Sequence, residues 1–301
     1  MTAAESSIPK LGSNNSIVIF AFSRAELLRE CISSTINAEG SAGWNKILVH
    51  QLGHRDVEDV VSEFSSTFDL IIRLKKQKKD TLGNINFNRV MGMTVGFNLF
   101  ESEVVLGIEE DTVISSDALL FVNEMFQLYQ FDRAFRGINL GSLELKTEKN
   151  TNTYSLLRYG LHGQAGALTR QTWRKIRLKD LLENISDEGW DSRIEYYLKS
   201  GFMVTPNSSR LLDRGWNGTH APSDSMHPYF EKQRLSWIGN ESSSQKNFQR
   251  NDQKHSWRQD AINYKRRHSI FYILRATSFG YAIFQGWKKL KFPKISPGKH
   301  K

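Results

Sequence analysis

Glu103-Val104-Val105-Leu106-Gly107-Ile108-Glu109-Glu110-Asp111-Thr112-Val113-Ile114-Ser115 is the stretch from which the fold can be inferred. Its first half is an apolar run rich in branched side chains, which is typical of a strand buried on both faces of a sheet. Three consecutive carboxylates follow this run. Because unpaired acids are costly to bury, we expect them at the mouth of the strand, beside a cation or a polar ligand. Ligands of open α/β sheets bind at such carboxyl ends.

Strand and helix patterns alternate on the N-terminal side of this stretch. Predicted strands cover 16–22, 46–51 and 69–74, and predicted helices cover 27–36, 57–64 and 87–100. Beyond the stretch, we predict helices over 118–131, 170–176 and 191–199, strands over 136–140 and 202–206, a small-residue strand or loop over 162–169, and a Gly-rich loop over 208–222. The alternation predicts an α/β fold with a mostly parallel, Rossmann-like sheet and flanking helices.

The composition is that of a globular protein with a sizeable core. The chain has 301 residues, which is enough for one large domain or two small ones. Cys31 is the only cysteine, so an intrachain disulfide is excluded and a reducing compartment is favoured. Residues 1–16 are polar and lack the apolar core of a signal peptide, and we expect a cytoplasmic protein.

The net charge of +9 is concentrated near the C-terminus. Residues 254–301 contain 12 Lys and Arg against one acid, whereas the rest of the chain contains 29 against 31. A nearly neutral body argues against a nucleic-acid partner, and the basic tail is expected to have an anionic partner of its own. The changes in composition and charge along the chain predict four parts: a flexible N-terminal segment over 1–15, a main domain over 16–238, a Ser/Asn/Gln-rich linker over 239–254 and a helical segment over 255–301.

The predicted C-terminal helical segment is rich in aromatic residues between basic flanks. Lys265-Arg266-Arg267 precedes the aromatic and aliphatic residues, and Lys288-Lys289 follows them. This pattern favours an interfacial helix on an anionic membrane, which would place the protein on the inner face of the membrane. The alternative is a C-terminal helix that packs on the body and exposes its basic rim.

The acidic triplet Glu109-Glu110-Asp111 suits a Mn²⁺ or Mg²⁺ site. Hard cations prefer oxygen ligands, and one or two carboxylates together with a substrate diphosphate can complete their shell. The alternative is a solvated turn that leads into the next helix, with Ser115 as its cap and Asp117 in its first turn.

Asp191 is the candidate general base, because it lies between Trp190 and Arg193 at the start of a predicted helix. The alternative is an acid that only complements the helix dipole. The stretch from Arg210 to His220 contains two glycines and several cations, which could bind phosphates or a metal. A solvated surface loop is the alternative there.

The order of these segments, over about residues 16–225, resembles GT-A fold glycosyltransferases, and in particular the N-acetylglucosaminyltransferase I family. The strand end Ser23-Arg24, the strand end His50-Gln51, the acidic triplet, Gly189-Trp190-Asp191 and the stretch from Thr205 to His220 are similar to that family's motifs in the same order. Two positions depart from the family pattern. Leu52 stands where the family has a uracil-reading Asp, and Glu110 stands where it has an Asp.

The resemblance implies an inverting, metal-dependent transfer of sugar from a nucleotide-sugar donor, with a UDP-sugar favoured, to a glycan or lipid-linked acceptor. The resemblance implies that Asp111 binds Mn²⁺ or Mg²⁺, that Glu110 contacts the ribose or metal-bound water, and that Glu109 contacts the donor sugar. It implies that Arg24 and Gln51 line the nucleotide site and that Arg210 and His220 belong to the donor-binding stretch. Asp191 would be the general base. His220 would lie on a loop that closes over the diphosphate. The absence of a Golgi anchor favours a bacterial-type relative.

Two other functions are compatible with parts of this sequence. A sugar-phosphate nucleotidyltransferase would also bind a nucleotide and a metal, but it normally has a Gly-rich loop after the first strand, where this chain has Ala21-Phe22-Ser23-Arg24. A non-enzymatic adaptor could use the basic tail to bind a membrane or nucleic acid. Stabilisation by UDP and Mn²⁺ would distinguish the enzyme from the adaptor.

Overall fold

The computed structural model describes residues 15–76, 80–142, 153–157, 161–182, 189–198, 201–215, 237–239 and 248–250. The chain divides into two compact units, Met1–Gln253 and Lys254–Lys301. Every described residue belongs to the first unit. The predicted basic C-terminal segment therefore lies outside the described residues.

The first unit is built from strands and helices that alternate through its N-terminal half. The helices are α1 Ala25–Asn37, α2 Arg55–Glu63, α3 Thr81–Asn98, α4 Ala118–Tyr129, α5 Arg170–Trp173, α6 Leu178–Leu182 and α7 Trp190–Leu198. The strands are β1 Asn15–Ala21, β2 Asn45–Gln51, β3 Leu70–Leu74, β4 Val104–Glu109, β5 Thr112–Ile114, β6 Phe135–Asn139, β7 Thr153–Leu157, β8 Ala165–Thr169, β9 Phe202–Pro206, β10 Leu211–Asp213 and β11 Gln249–Arg250.

Among the described residues, nine strands form one mixed sheet in the order β11-β7-β9-β6-β8-β4-β1-β2-β3. Strands β3, β2, β1 and β4 pair in parallel, as do β6 with β9 and β11 with β7. Strand β8 is antiparallel to both β4 and β6, and β7 is antiparallel to β9. The predicted α/β fold with a mostly parallel sheet is confirmed. A separate two-stranded ribbon joins β5 to β10.

The apolar runs of β1 and β4 form the centre of the core. Val18, Leu106 and Ile108 are fully buried, as expected for strands covered on both faces. Helix α3 packs directly on these strands. A Cβ atom added at Gly92 would lie only 2.6 Å from Val18, and one added at Gly96 would lie 2.9 Å from Val105. The close approach brings the polar N-terminal half of α3 over the carboxyl ends of the parallel strands.

Several element boundaries differ from the predicted ones. Helix α3 begins at Thr81, six residues before the predicted start, because the Asp80 side chain caps it by accepting from the Gly83 amide at 2.6 Å. Strand β7 was not predicted, and β10 lies in the predicted Gly-rich loop. Within the predicted linker, Gln249–Arg250 pairs with β7. Among the described residues, no helix has the length and apolar character that crossing a membrane requires.

Candidate functional site

The acidic triplet lies where β4 ends and the chain turns into β5. Because β1 and β2 run parallel to β4, their last residues lie along the same edge of the sheet. The carboxylate of Glu110 turns toward the end of β1, where it accepts from the Phe22 amide at 2.5 Å and from the Ser23 amide at 3.1 Å. Burial raises the pKa of Glu110, and the backbone amides that stabilise its charge oppose this shift. Glu110 therefore fixes the loop between β1 and α1.

Asp111 faces a cation on one side and an acid on the other. Its Oδ2 accepts from Arg24 Nη1 at 2.6 Å, whereas its buried Oδ1 has no hydrogen-bond partner. The ribbon of β5 and β10 brings Asp213 close to it, and the Arg214 amide donates to the Asp111 carbonyl at 2.8 Å. A Cβ atom at Gly215 would lie 2.1 Å from Asp111 Oδ2, so glycine is required for this close approach.

Asp213 is a site acid that the sequence analysis did not single out. Its carboxylate accepts from the Gln164 side chain and, at 2.6 Å, from the Gly215 amide. Burial and then the charge of Asp111 raise the pKa of Asp213 to about 6. Repulsion between two nearby buried acids is relieved by a cation or by protonation of one of them, since like charges at short range destabilise each other.

Glu109, the last residue of β4, pairs with Arg89 of α3. The second arm of the same guanidinium, Nη1, donates to the Gly163 carbonyl at 2.6 Å. Burial lowers the pKa of Arg89 to about 10, and the charges of Asp191 and Asp111 oppose this shift. Arg89 therefore lies within the field of the acids on both sides of the site. The sequence analysis missed it because it is a lone cation within a helix.

Asp191 lies in the first turn of α7 and close to Gly163, whose carbonyl accepts from Arg89. Its side chain is exposed, and its Oδ2 would be 3.5 Å from a Cβ atom at Gly163. The structure thus brings Asp191 and the pair of Arg89 and Glu109 to the same short segment. Trp190 is buried beneath Asp191 and lines a small pocket together with Arg89 and His162.

Two further predicted residues have their polar groups engaged with other side chains of the protein. Gln51 is buried and accepts from Asn88 Nδ2 at 3.0 Å. Arg210 is fully buried, where Nη2 donates to Asp117 at 3.0 Å and the guanidinium lies 4.5 Å from the centre of the Phe121 ring. The charge of Arg210 is therefore paired inside the core, and donor binding by Arg210 stays a prediction. His220 lies outside the described residues.

The charge balance of the site favours a divalent cation. The acids and the cations brought together here are Glu109, Glu110, Asp111, Asp191, Asp213, Arg24 and Arg89, five carboxylates against two guanidinium groups. No group of three metal-ligand side chains occurs in the part of the chain that the structure describes. Asp111 and Asp213 nevertheless fit Mg²⁺ or Mn²⁺, because such sites often use only two carboxylates and take the remaining oxygens from water and substrate phosphates.

The missed residues gave only a weak signal in the sequence. Asp213 is the sole acid between Arg210 and His220, and Arg89 follows an Asn-rich turn of a helix that is otherwise apolar.

Cys31 is buried beneath the site, where its thiol donates to the Glu109 carbonyl at 3.4 Å and burial raises its pKa. It is therefore a structural cysteine.

No protein-family model and no curated protein matches the chain. Solved structures that resemble it include the mannosyltransferase PcManGT from Pyrobaculum calidifontis in complex with GDP-Man and Mn²⁺, with 11% identity and a TM-score of 0.47 over 72% of this chain and 59% of that one. S. aureus TarS 1-349 in complex with UDP-GlcNAc matches at 13% identity and a TM-score of 0.47, over 73% and 65% of the two chains. The chain spans less than two thirds of the length of either protein. At these values, the resemblance does not establish what this chain does.

Proposed function

We propose that this chain is an inverting, metal-dependent glycosyltransferase of the GT-A fold that uses a nucleotide-sugar donor. One observation carries the proposal: a corner rich in carboxylates lies at the carboxyl edge of the parallel strands, with the exposed carboxylate of Asp191 close by. Ligands of open α/β sheets bind at this edge. An acidic corner accepts a diphosphate only when a divalent cation lies between them.

In this proposal, Asp111 and Asp213 hold Mn²⁺ or Mg²⁺, which would neutralise the charge that develops on the leaving diphosphate. Arg24 pairs with Asp111 and is partly exposed, so it can also meet a phosphate oxygen. Glu110 keeps the loop after β1 in place through the amides of Phe22 and Ser23. The donor sugar would then lie beside Glu109.

Asp191 has the remaining chemical role. Its exposed carboxylate would take the proton from the acceptor hydroxyl as that hydroxyl attacks the anomeric carbon. Attack from the face opposite the leaving diphosphate inverts the configuration of that carbon. The exposed Asp191 carboxylate lies near Gly163, where an acceptor hydroxyl could reach it.

A donor panel tests the proposal. The full chain is incubated with UDP-, GDP-, ADP- and dTDP-sugars and Mn²⁺, and release of nucleoside diphosphate is followed with and without chelator. We expect metal-dependent release from one donor class, with a UDP-sugar as the favoured class. A nucleotidyltransferase would instead release pyrophosphate when given a nucleoside triphosphate and a sugar phosphate. If no nucleotide stabilised the protein against thermal unfolding, an adaptor would be favoured.

Asp191→Asn tests the assigned base. We expect kcat for transfer to fall by about 10²-fold or more, since general bases typically contribute 10²- to 10⁴-fold. Donor affinity, measured by calorimetry, should change little. Asp56→Asn is a matched control, because Asp56 is an exposed acid in the first turn of α2, as Asp191 is in the first turn of α7. Equal turnover by Asp191→Asn and the unmutated protein would exclude this base.

We further propose that the basic segment 255–301 binds an anionic membrane and that the acceptor is a lipid-linked or membrane-bound glycan. The charge and aromatic pattern of its sequence supports this. Sedimentation with vesicles should show binding that requires anionic lipid and weakens as salt increases. Binding that ignores salt, or no binding, would contradict it.

A further inference from the structure

Residues 162–164 connect the two halves of the site. The His162 amide donates to Asn139 Oδ1 at 2.8 Å, the Gly163 carbonyl accepts from Arg89, and the Gln164 carbonyl accepts from the Glu109 amide at 2.8 Å. The Gln164 side chain also donates to Asp213. This connecting segment therefore contacts the strand-end acids, and Asp191 lies close to its glycine.

Arg89 is the group that ties this connecting segment to the end of β4. Its two arms reach the Glu109 carboxylate and the Gly163 carbonyl, and its guanidinium lies 5.4 Å from the centre of the Phe20 ring. The Arg89 side chain is only 6% exposed. It is thus shielded from solvent and is held in one orientation by contacts on three sides.

We propose that Arg89 is a positioning residue that fixes the distance between the donor side of the site, at Glu109, and Asp191, by holding Gly163 between them. The inference rests on the proposed function and adds to it. Arg89 would act on Asp191 indirectly, because it holds the carbonyl of Gly163 and Asp191 lies close to Gly163. A displacement of about 1 Å between reacting groups can cost about 10²-fold in rate, so one hydrogen bond at this point has a large effect.

The forked shape of the guanidinium is the essential property. Lysine would keep the positive charge, but a single ammonium is a point charge and does not reproduce two divergent N–H arms with fixed geometry. Arg89→Lys therefore separates charge from geometry, and Arg89→Met removes both while keeping much of the apolar stem. If charge alone mattered, Arg89→Lys would be active and Arg89→Met would not.

The opposite end of the same strand supplies a matched control. Arg170 pairs with Glu103, which precedes β4, at 3.1 Å, and the Arg170 amide donates to the Glu103 carbonyl at 2.8 Å. This pair also joins β4 to a neighbouring element, but at the amino edge of the parallel strands. Arg170→Lys should perturb stability as much as Arg89→Lys does, without reaching the site.

The first experiment compares steady-state transfer by the full-length variants. We expect Arg89→Lys and Arg89→Met to lower kcat by about 10- to 100-fold while the KM for the donor stays within about threefold. Arg170→Lys should keep kcat within about twofold. Full activity of Arg89→Lys, or a rise in donor KM without a fall in kcat, would overturn the positioning role.

The second experiment needs no catalytic activity and so separates this inference from the proposed function. Amide hydrogen exchange is measured for peptides that cover 161–168 and 189–198. In Arg89→Lys, we expect both to exchange at least about tenfold faster, since the hydrogen bond that holds Gly163 is lost and Asp191 lies close to Gly163, while peptides from α1 and α2 stay unchanged. Unchanged exchange in both peptides, or a uniform increase throughout the chain, would overturn the inference even if no donor is ever found.

Discussion

At the scale of single residues, Asp213 gives the sharpest test of the acidic corner. Asp213→Asn should weaken Mn²⁺ binding by about tenfold or more, because one of two anionic ligands becomes neutral. Without metal, the variant should be no less stable than the unmutated protein, because a buried charge beside Asp111 has been removed. Thermal unfolding with increasing Mn²⁺ measures both effects.

A surface acid serves as the control for this substitution. Asp69 lies before β3, where its carboxylate accepts from the exposed Lys46 amide at 2.7 Å, far along the chain from the site acids. Asp69→Asn should leave the Mn²⁺ dependence of unfolding unchanged. If Asp213→Asn retained the full stabilisation by Mn²⁺, Asp213 would not be a ligand.

His162 provides a prediction on pH. Burial lowers its pKa from 6.5 to about 4, and the charge of Asp191 only partly opposes this shift. The unfolded chain therefore binds more protons than the folded chain between these two values, so stability falls as the pH falls from 6.5 toward 4. The loss attributable to this group is about 3 kcal/mol.

Chemical denaturation of the unmutated protein and of His162→Gln measures this effect. The free energy of unfolding of His162→Gln should change less between pH 6.5 and 4, although its absolute stability is lower because the imidazole packs closely against Gly141. Carboxylates that titrate in the same range are present in both proteins, so the difference isolates His162. Parallel pH profiles would contradict the shifted pKa.

Sequence patterns predicted the acidic triplet at the strand end, but neither the role of each acid nor the fourth acid, Asp213. Three consecutive carboxylates at a strand end predicted the acidic corner, yet adjacent side chains point in different directions around the turn into β5. Glu110 consequently binds backbone amides, Glu109 pairs with Arg89, and Asp111 faces Asp213. Asp213 reaches Asp111 only through pairing between β10 and β5, which are almost 100 residues apart, and no local pattern encodes that pairing.

At the scale of elements, α3 depends on two glycines for its position on the sheet. Alanine at either position would improve helix propensity by about 1 kcal/mol. The added Cβ would nevertheless lie within 3 Å of Val18 or Val105, and such overpacking costs about 1–3 kcal/mol or more. We therefore expect Gly92→Ala and Gly96→Ala to lower the free energy of unfolding in chemical denaturation.

An exposed position of α3 controls for propensity alone. Asn98 is the last residue of the helix and is exposed, so Asn98→Ala should be neutral or slightly stabilising. Because α3 also carries Arg89, Gly92→Ala should reduce transfer activity more than its loss of stability explains. Equal stability of all three variants would show that α3 can shift outward without cost.

The elements themselves were predictable where hydrophobic periodicity is strong. Strands β1 and β2 are largely apolar runs, and their predicted bounds agree with the structure to within one residue. The sequence predicts a loop at β10, because its three residues lie between polar and Gly-rich neighbours. Its strand conformation depends on β5, so a tertiary contact outweighs the local preference.

At the scale of the whole molecule, Arg210 links parts of the chain that are distant in sequence. Its guanidinium pairs with Asp117 before α4 and lies 4.5 and 4.9 Å from the ring centres of Phe121 and Phe248. Breaking a buried ion pair from one side leaves an uncompensated charge and costs about 3–5 kcal/mol. Arg210→Met should therefore lower the free energy of unfolding by about that amount.

A double variant distinguishes this structural role from donor binding. Arg210→Met combined with Asp117→Leu should recover most of the lost stability, because neither charge is then buried alone. Chemical denaturation of the single and double variants measures the coupling, and the KM for the donor should remain similar throughout. If Arg210→Met raised the KM for the donor and left the free energy of unfolding unchanged, Arg210 would instead be a donor-binding residue.

The enclosed thiol of Cys31 has a practical consequence for work on this chain. Since the chain contains no other cysteine, maleimide dyes should leave the folded protein unmodified. A cysteine introduced at exposed Leu99 would then accept a fluorophore at one known position, with no need to remove a native sulfhydryl. Fluorescence from such a label could report docking of nucleotides or lipid vesicles on the wild-type background.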